Sequence, residues 1–439
     1  MTPLLLHSLS ILLTLLITHL QHTHAQTTNI TGATTISSAA KSLNHTTFYA
    51  SHNDESALLI QDTGHLTCTH SQIIKTGNTT NKDDSNFSAL NAAIAVQRNG
   101  TLSLSHSFIY TSGYFATAIK VYESGSSAYL SDVAIAASGS MSHGVYMAGG
   151  YMHLSDVSVT VDANYAGCYS TDKGGGVMEI YHSSCFTLQD HAVIVYSTGD
   201  ITATSLTGTT LQSPAGTIDG ANNSITLLNP TFTIAPTTWG VFQIFNSANT
   251  TNASAPGTAT LHISGGTISE TRGLCPFLFT ANANSEIHLS NNIDISIPSG
   301  IFLNASADYE WGVEGENGGI ASVTLRNQSV KGDVYVDDIS IARVRLEDGG
   351  EFVGAVNGGD RRGRVEVRVG RGGVWNVTGM SFLDVLEVEG DGDGEGEGVE
   401  EGIEGLFSKG FTVYYNGVAN EWLNNRTITL DGGGVLRPT

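Results

Sequence analysis

The sequence predicts an all-β fold, a single-stranded right-handed parallel β-helix (solenoid) of about ten or more coils with terminal caps. The phrase YLSDVAIAA returns as HLSDVSVTV, which places Leu130 and Leu154 at equivalent positions. Helix-favouring stretches are almost absent. Short alternating apolar runs, separated by Gly, Ser, Asn and Asp turns, recur at a nearly constant interval and start at Ala93, Ala118, Gly144, Gly167 and Val193. This is the pattern of stacked coils that share one core, because a single coil cannot bury its own inward side chains.

The repeated LSDV phrase has a direct interpretation in such a stack. We expect its Leu and Val to point into the tube, and its Ser and Asp to lie at the outer face or in a turn. A right-handed crossover is the default for parallel strands. Equivalent positions of successive coils must then carry similar residues.

Composition limits the partners of the chain. It has 439 residues with 51 Gly, 8 Pro, 14% charged residues and a net charge of −22. The length is ample for a large buried core. The acidic balance argues against nucleic acid or an anionic membrane as a partner.

Residues 1–25 are typical of a secretory signal. An apolar run at 4–20 ends at the small residue Ala25, which predicts cleavage before Gln26. The alternative, a retained membrane anchor, is disfavoured because two histidines interrupt a run shorter than the roughly 20 residues a span needs. We therefore expect a secreted protein, extracellular or in the lumen of the secretory pathway, without a transmembrane anchor.

A secreted chain carries glycans and disulfides. The four cysteines allow one or two bridges in three full pairings, and buried free thiols are the alternative. The cysteines are Cys68, Cys168, Cys185 and Cys275. Twelve sequons are candidates for glycosylation: Asn29, Asn44, Asn78, Asn86, Asn99, Asn222, Asn249, Asn252, Asn304, Asn327, Asn376 and Asn425.

Composition along the chain predicts its organisation. Two insertions, 246–257 and 304–319, interrupt the period, and insertions in a solenoid form loops on one face, often the binding face. The acidic Gly-rich stretch lacks a calcium-loop spacing and is interpreted as a solvated linker. The predicted parts are a signal peptide at 1–25, an amino-terminal cap at 26–90, the β-helix at 91–389, the acidic loop at 390–405 and carboxyl-terminal strands at 406–439.

The strand register predicts a row of outward side chains. If the odd residues of each first strand point inward, the residue between them points outward. This row is apolar or aromatic in nine of ten rungs: Ala95, Lys120, Tyr146, Tyr169, Val195, Ile218, Phe242, Leu278, Phe302 and Tyr335. An exposed apolar strip indicates a binding site. The alternatives are that other segments cover the row as secondary core, or that a one-residue slip exchanges the two rows.

Candidate site residues surround this row. Tyr146, Tyr169, Trp239, Phe242 and Trp311 are the candidates for substrate binding, because their rings stack on flat or apolar ligands.

Three charged side chains are the candidates for catalysis. Asp172 or Lys173 would move a proton, and Arg272 would hold an oxyanion. His143 and His153 are interpreted as turn or surface residues, and no metal or redox cofactor is expected.

Two resemblances follow from these segments. SHGVYMAGG, TDKGGGVMEI, VYSTGDITAT, WGVFQIF and GDVYVDDIS resemble secreted right-handed parallel β-helix (pectin-lyase-like) repeat proteins over residues 90–357. The NTD, GHG and RIK signatures of the hydrolases in that group are missing. The signal, the sequons and the size are also similar to those of secreted fungal hetero-Diels–Alderases of tropolonic sesquiterpenoid biosynthesis. That resemblance implies dehydration to a quinone methide and cycloaddition with a terpene, and assigns no residue.

Two functions stay open. The first is an enzyme of secondary metabolism, a hetero-Diels–Alderase-like pericyclase whose substrate is an apolar or aromatic small molecule. The second is a cell-surface polysaccharide-binding, adhesin-like β-helix or a relative of polysaccharide lyases and hydrolases. A glycan at Asn304 would crowd the apolar row in either case.

Overall fold

The protein is a parallel β-helix in this computed structural model, which describes residues 29–172, 174–247, 257–313, 315–358, 363–389 and 403–439. Strands of successive coils pair in parallel and in register along three faces, here called A, B and C. The predicted fold class is confirmed. Among the described residues no helix has the length and apolarity needed to cross a membrane.

Face A is a sheet of twelve strands that carries the site described below. Its strands are short because each coil turns a corner after a few residues. They are Thr31–Ser37, Glu55–Gln61, Ile94–Val96, Ile119–Tyr122, Val145–Ala148, Ala166–Thr171, Ala192–Ser197, Gly216–Asp219, Phe242–Phe245, Leu278–Ala281, Ile301–Ala305 and Asp333–Val336.

Face B follows face A in each coil. Three of its strands are 11 residues long and bend over the corner into face C. The face B strands are Ala40–Asn44, His65–Thr69, Thr101–Thr111, Ser127–Ala137, Tyr151–Val161, Val177–Tyr181, Asp200–Thr204, Ser224–Leu228, Ala259–Ser264, Asn284–Ser290, Ile320–Arg326, Ile341–Glu347, Arg364–Val369 and Val385–Val388.

Face C closes the tube. Besides the bent halves of the long strands it comprises Thr47–Ala50, Gln72–Lys75, Ser184–Thr187, Thr207–Thr210, Thr231–Ile234, Thr267–Glu270 and Asp294–Ser296, and a four-stranded ladder of Ser329–Lys331, Glu351–Val353, Val374–Val377 and Leu406–Ser408. A last sheet joins Ser381–Leu383, Thr412–Tyr415, Val435–Pro438 and the antiparallel Ile428–Thr429. The described helices are an α-helix at Lys82–Phe87 and a 3-10 turn at Glu421–Leu423.

The LSDV repeat marks the corner between faces B and C. Leu130 and Val133 are buried in the tube, and the next coil repeats this arrangement one rung further along. Asp132 and Asp156 adopt left-handed φ values of 54° and 56° at the corner itself. Asp tolerates this conformation better than most residues, which explains why the phrase is repeated.

The coiled region begins before residue 91. Strands at Thr31–Ser37 and Glu55–Gln61 already pair in the face A stack, and Leu58 lies in register with Ile94. Residues 31–75 therefore form coils, and only the short helix Lys82–Phe87 departs from them, in place of the irregular cap expected from composition. The acidic stretch at 390–402 and residues 248–256 of the first insertion lie outside the described residues.

The face A register differs from the predicted one beyond Tyr146. Val145 pairs with Tyr169, and Tyr146 pairs with Ser170. The repeat length here equals that of the LSDV phrase, whereas aligning the glycines of GVYMA and GCYST suggested an interval shorter by one. The outward row is Leu59, Ala95, Lys120, Tyr146, Ser170, Tyr196, Thr217, Gln243, Phe279, Asn304 and Tyr335.

The prediction that Tyr169 and Phe242 face outward is therefore wrong. Both rings are fully buried inside the tube. The Tyr169 hydroxyl lies within hydrogen-bond distance of the carbonyls of Val157 (2.9 Å) and Ser184 (3.0 Å), so its polar atom is satisfied. Phe242 fits inside because Gly216, its neighbour in register, leaves space for the ring. Val195, Ile218, Leu278 and Phe302 are core residues as well.

The cysteines divide into one bridge and two thiols. Cys168 and Cys185 form a disulfide between face A and face C of one coil. Cys68 and Cys275 are free and buried. Two of the four candidate cysteines thus form a bridge.

Candidate functional site

A cleft of about 520 Å³ lies on the outer surface of face A. We call it the aromatic trough, because nine of its lining residues carry aromatic rings. It is lined by Asn86, Met141, His143, Tyr146, Tyr165, Ala166, Asp172, His191, Val193, Tyr196, Pro214, Thr217, Thr238, Trp239, Gln243, Phe245, Tyr309, Glu310 and Trp311. Its volume is within the roughly 300–1,000 Å³ typical of small-molecule sites.

The first wall comes from the turns that lead into face A. Tyr165, His191 and Trp239 each lie in a turn that leads into a face A strand, with φ values of 50°, 54° and 54°. The Tyr165 and His191 rings stack with centroids 4.6 Å apart, and His191 meets Trp239 at 5.6 Å. Left-handed φ is costly for bulky residues, at about 1–2 kcal/mol each. In spite of this cost, the turn conformation places the rings side by side along the trough.

The second wall comes from the second insertion. Trp311 stacks on Phe245 with centroids 3.9 Å apart and planes 3° from parallel, and it also meets Trp239 at 4.7 Å. Asp308 accepts a hydrogen bond from the Trp239 indole nitrogen at 2.9 Å. The insertion is thus fastened to the first wall.

A buried amide keeps the insertion in shape. The Asn317 side chain donates to the carbonyls of Asp308 and Trp311 and is itself almost completely buried. Tyr309, at the tip, is 83% exposed beside the mouth of the trough. We call residues 306–313 and 315–318 the strap.

The floor of the trough holds a phenol and a carboxylate, and a buried amine packs against the phenol ring. The Tyr146 hydroxyl donates to Asp172 Oδ2 at 2.5 Å. The Lys120 Nζ lies 4.2 Å from the centre of the Tyr146 ring. It donates to the carbonyl of Ser85 at 3.0 Å and to that of Asn86, both in the last turn of the Lys82–Phe87 helix. Carbonyls at a helix carboxyl end lack helical partners and favour a cation.

Burial sets the protonation of the floor. It lowers the pKa of Lys120 to about 7, although the nearby Asp172 charge acts in the opposite direction. It raises the pKa of Tyr146 well above its usual range, and the charge and hydrogen bond of Asp172 add to this. Tyr146 therefore stays a hydrogen-bond donor at neutral pH.

His143 and Tyr196 complete the floor. Burial, with the charge of Lys120, lowers the pKa of His143 to about 3, so its imidazole is neutral. Its ring lies 4.6 Å from that of Tyr146. Burial raises the pKa of Tyr196 well above its usual range, and its hydroxyl donates to Asp219 at 2.9 Å. Asp172 is thus a lining carboxylate that accepts a hydrogen bond from Tyr146 and lies among aromatic rings.

The structure brings together four of the predicted site residues. Tyr146, Trp239, Trp311 and Asp172 all line the trough. Tyr169 and Phe242 lie in the core, as described above. Arg272 lies away from the trough lining, is exposed and donates to the carbonyl of Leu211 at 2.7 Å. Lys173 lies outside the described residues.

Other lining residues were missed from sequence. Tyr196 and Gln243 belong to the outward row through pairings whose spacing departs from that of the LSDV phrase, Ser170 with Tyr196 and Thr217 with Gln243, so no constant offset pointed to them. Tyr165 and His191 lie just before face A strands. Met141 lies in the same place one coil earlier, so three successive coils carry a large residue there. That recurrence of large residues was the available signal for the first wall.

The described residues give no indication of a metal centre. Within them, no three His, Cys, Asp or Glu side chains are grouped so that they could hold one ion.

Comparison with known proteins gives little beyond these observations. No family model matches the chain, and no curated protein matches it. Among solved structures, the TibC-catalysed hyper-glycosylated TibA55-350 fragment is similar at 14% identity and a TM-score of 0.22. The match covers 80% of this chain and 98% of that one. At so low a TM-score the likeness carries no weight for function.

Proposed function

We propose that the protein is an enzyme that binds an apolar or aromatic small molecule in the aromatic trough and transforms it in the manner of a hetero-Diels–Alderase. One observation carries the proposal: Asp172, with the Tyr146 hydroxyl 2.5 Å away, opens into a ring-walled cleft of about 520 Å³. An apolar pocket with few, convergent polar groups is the usual form of a small-molecule site.

The walls favour flat or hydrocarbon ligands over polyols. Tyr165, Trp239 and Trp311 present ring surfaces, which contribute through apolar burial and through stacking. Rings held by one another and by Asp308 lose little freedom when a ligand enters. A tropolone-like ring and a terpene chain both suit such a lining.

The first chemical step would be loss of water from a hydroxymethyl group beside a ring hydroxyl. The Asp172 carboxylate takes the proton of the ring hydroxyl, and the electron pair moves through the ring as the C–O bond of the substituent breaks. The departing hydroxide takes the proton back from Asp172 and leaves as water. Asp172 is regenerated, and Tyr146 holds it in position through the hydrogen bond.

The second step needs no proton transfer. The resulting heterodiene and an alkene of the terpene form two σ bonds, while the π electrons are redistributed and no group leaves. The trough would contribute by holding both partners at reacting distance. The strap, with Trp311 fixed on Phe245, would exclude water from the reactive diene.

Binding can be tested by tryptophan fluorescence. Two of the four tryptophans line the trough, Trp375 is in the core and Trp422 is exposed on the last coil. In a Trp422→Phe background, which removes the exposed reporter, we expect tropolone or humulene to quench emission. Trp311→Ala should weaken this binding about tenfold or more, because a stacking wall is lost.

Catalysis is tested separately with Asp172→Asn. This change should leave quenching in place and lower formation of the cycloadduct from a hydroxymethyl tropolone and humulene by about 100-fold or more. Full turnover by Asp172→Asn would contradict the assigned role. Retention on insoluble glucan, chitin or pectin, without quenching by either small molecule, would instead support the polysaccharide-binding alternative.

A further inference from the structure

A second cleft, of about 710 Å³, lies at the corner between faces A and B and does not overlap the lining of the aromatic trough. Its floor is the backbone of Gly125, Gly149 and Gly150, all with φ of 87°. Because these three positions carry no side chains, the surface is recessed at this corner of the stack. We call it the glycine groove.

Tyrosines form the sides of the glycine groove. Tyr129 is 43% exposed, and its ring lies 5.9 Å from that of Tyr151. The Tyr151 hydroxyl donates to Glu179 at 2.7 Å, which fixes the ring. Ser124 and Ser127 add hydroxyl groups to the lining. Ring faces beside hydroxyls and exposed backbone suit a saccharide, whose C–H faces stack while its hydroxyls form hydrogen bonds.

A sequon asparagine lies at one end of the groove. Asn99 begins the sequence NGT, is exposed and adopts a φ of 60°. Its side chain rests against Gly125: a Cβ added to Gly125 would come within 2.1 Å of the Asn99 Oδ1. Gly125 therefore leaves room for the asparagine of the preceding coil.

We infer that an N-linked glycan on Asn99 folds back into the glycine groove and is the saccharide that occupies it. The Asn99 Oδ1 and Cγ face Gly125, so the Nδ2 that carries the glycan is directed away from it and the first sugar has to turn back toward Gly125. Since coils are spaced by about 4.8 Å, the next sugars then meet Gly149 one coil further on. The core sugars would lie along the glycine floor between Tyr129 and Tyr151. The inference is independent of the function proposed for the aromatic trough.

Protection of the glycan tests this inference. The full chain is secreted from eukaryotic cells, and release of each glycan by an endoglycosidase is followed on the folded protein by mass spectrometry. We expect release at Asn99 to be about tenfold slower than at Asn44, an exposed sequon on a face B strand, because stacked sugars are less accessible. Denaturation should remove the difference.

Matched tyrosine variants distinguish loss of glycan contacts in the groove from a general effect on folding. Tyr129→Ala combined with Tyr151→Ala should bring the Asn99 rate close to that of Asn44, while the thermal midpoint shows that the variant is folded. Tyr49→Ala, which removes an exposed tyrosine on face C, should leave both rates unchanged.

Two results would overturn the inference. One is an unmodified Asn99, or equal release rates at Asn99 and Asn44 in the folded wild type. The other is equal binding of added chitotriose to the wild type and to Asn99→Gln, since that would show a groove open to external sugars. Chitotriose binding only after Asn99→Gln supports occupation by the chain's own glycan.

Discussion

Lys120→Met should make the protein more stable at neutral pH and remove a specific pH dependence. Lys120 is 1% exposed, and its Nζ bonds to two helix-end carbonyls above the Tyr146 ring. An amine so enclosed is costly to keep charged. Methionine fills nearly the same space without a charge to desolvate.

The magnitude follows from the pKa of Lys120. Burial lowers this pKa from 10.5 to about 7, with Asp172 acting against the fall. Since one pKa unit corresponds to about 1.4 kcal/mol, the difference amounts to on the order of 5 kcal/mol. Between pH 7 and 10.5 the unfolded chain holds the lysine proton and the folded chain does not. Stability of the wild type relative to Lys120→Met should therefore rise with pH through that window and level off above it.

Chemical denaturation from about pH 6 to about pH 11 measures this difference, and subtracting the two curves cancels the other titrating groups. Lys75→Met is the matched control. Lys75 is also buried, donates to the carbonyl of His52 at 2.8 Å and has its pKa lowered to about 8. The stability difference between wild type and Lys75→Met should change between about pH 8 and pH 10.5, by on the order of 3 kcal/mol in total.

A stability difference between wild type and Lys120→Met that is constant across this pH range would refute the reasoning. It would mean that Lys120 stays charged in the folded protein up to its ordinary pKa. A pH-dependent stability change that is larger for Lys75→Met than for Lys120→Met would refute the order of the two lysine pKa values.

Three further outcomes are expected. Cys168→Ser with Cys185→Ser should lower the free energy of unfolding by about 3 kcal/mol, measured by denaturation, because the bridge closes a loop with a sequence separation of 17; an unchanged midpoint would contradict this. Phe242→Ala should cost about 3–5 kcal/mol by the same measurement and leave ligand quenching intact, because the ring is core; lost quenching in a folded variant would return Phe242 to the site. Tyr169→Phe should cost about 1 kcal/mol by removing a buried hydrogen bond, with no effect on turnover; an altered turnover would be inconsistent with a purely structural role.

The fold was predictable because the repeated phrase indicates equivalent positions in stacked coils. In LSDV the Leu and Val side chains point inward, and the Asp lies at a corner, where Asp132 and Asp156 adopt left-handed φ values. The offset between the two copies of this phrase also pairs Val145 with Tyr169. Aligning glycines instead shifted the row by one residue, and in a strand this exchanges inside and outside.

The site was predictable only in part. Trp311 and Tyr146 were found, because an insertion and a correctly aligned rung pointed to them. The fit of Trp311 on Phe245 depends on how Asn317 holds the strap, and that contact has no periodic pattern to reveal it. Tyr169 shows the opposite case: the glycine alignment placed it on the outer surface, but its ring is in the core and two carbonyls there accommodate its hydroxyl.

The position of the strap allows ligand preference to evolve with little change in the fold. Trp311 enters the trough on a loop between two coils, and each coil contacts mainly its neighbours. Replacing those few residues would alter what the cleft accepts while the tube beneath keeps its pairing. Selection on ligand preference and selection on folding therefore act on largely separate stretches of this chain.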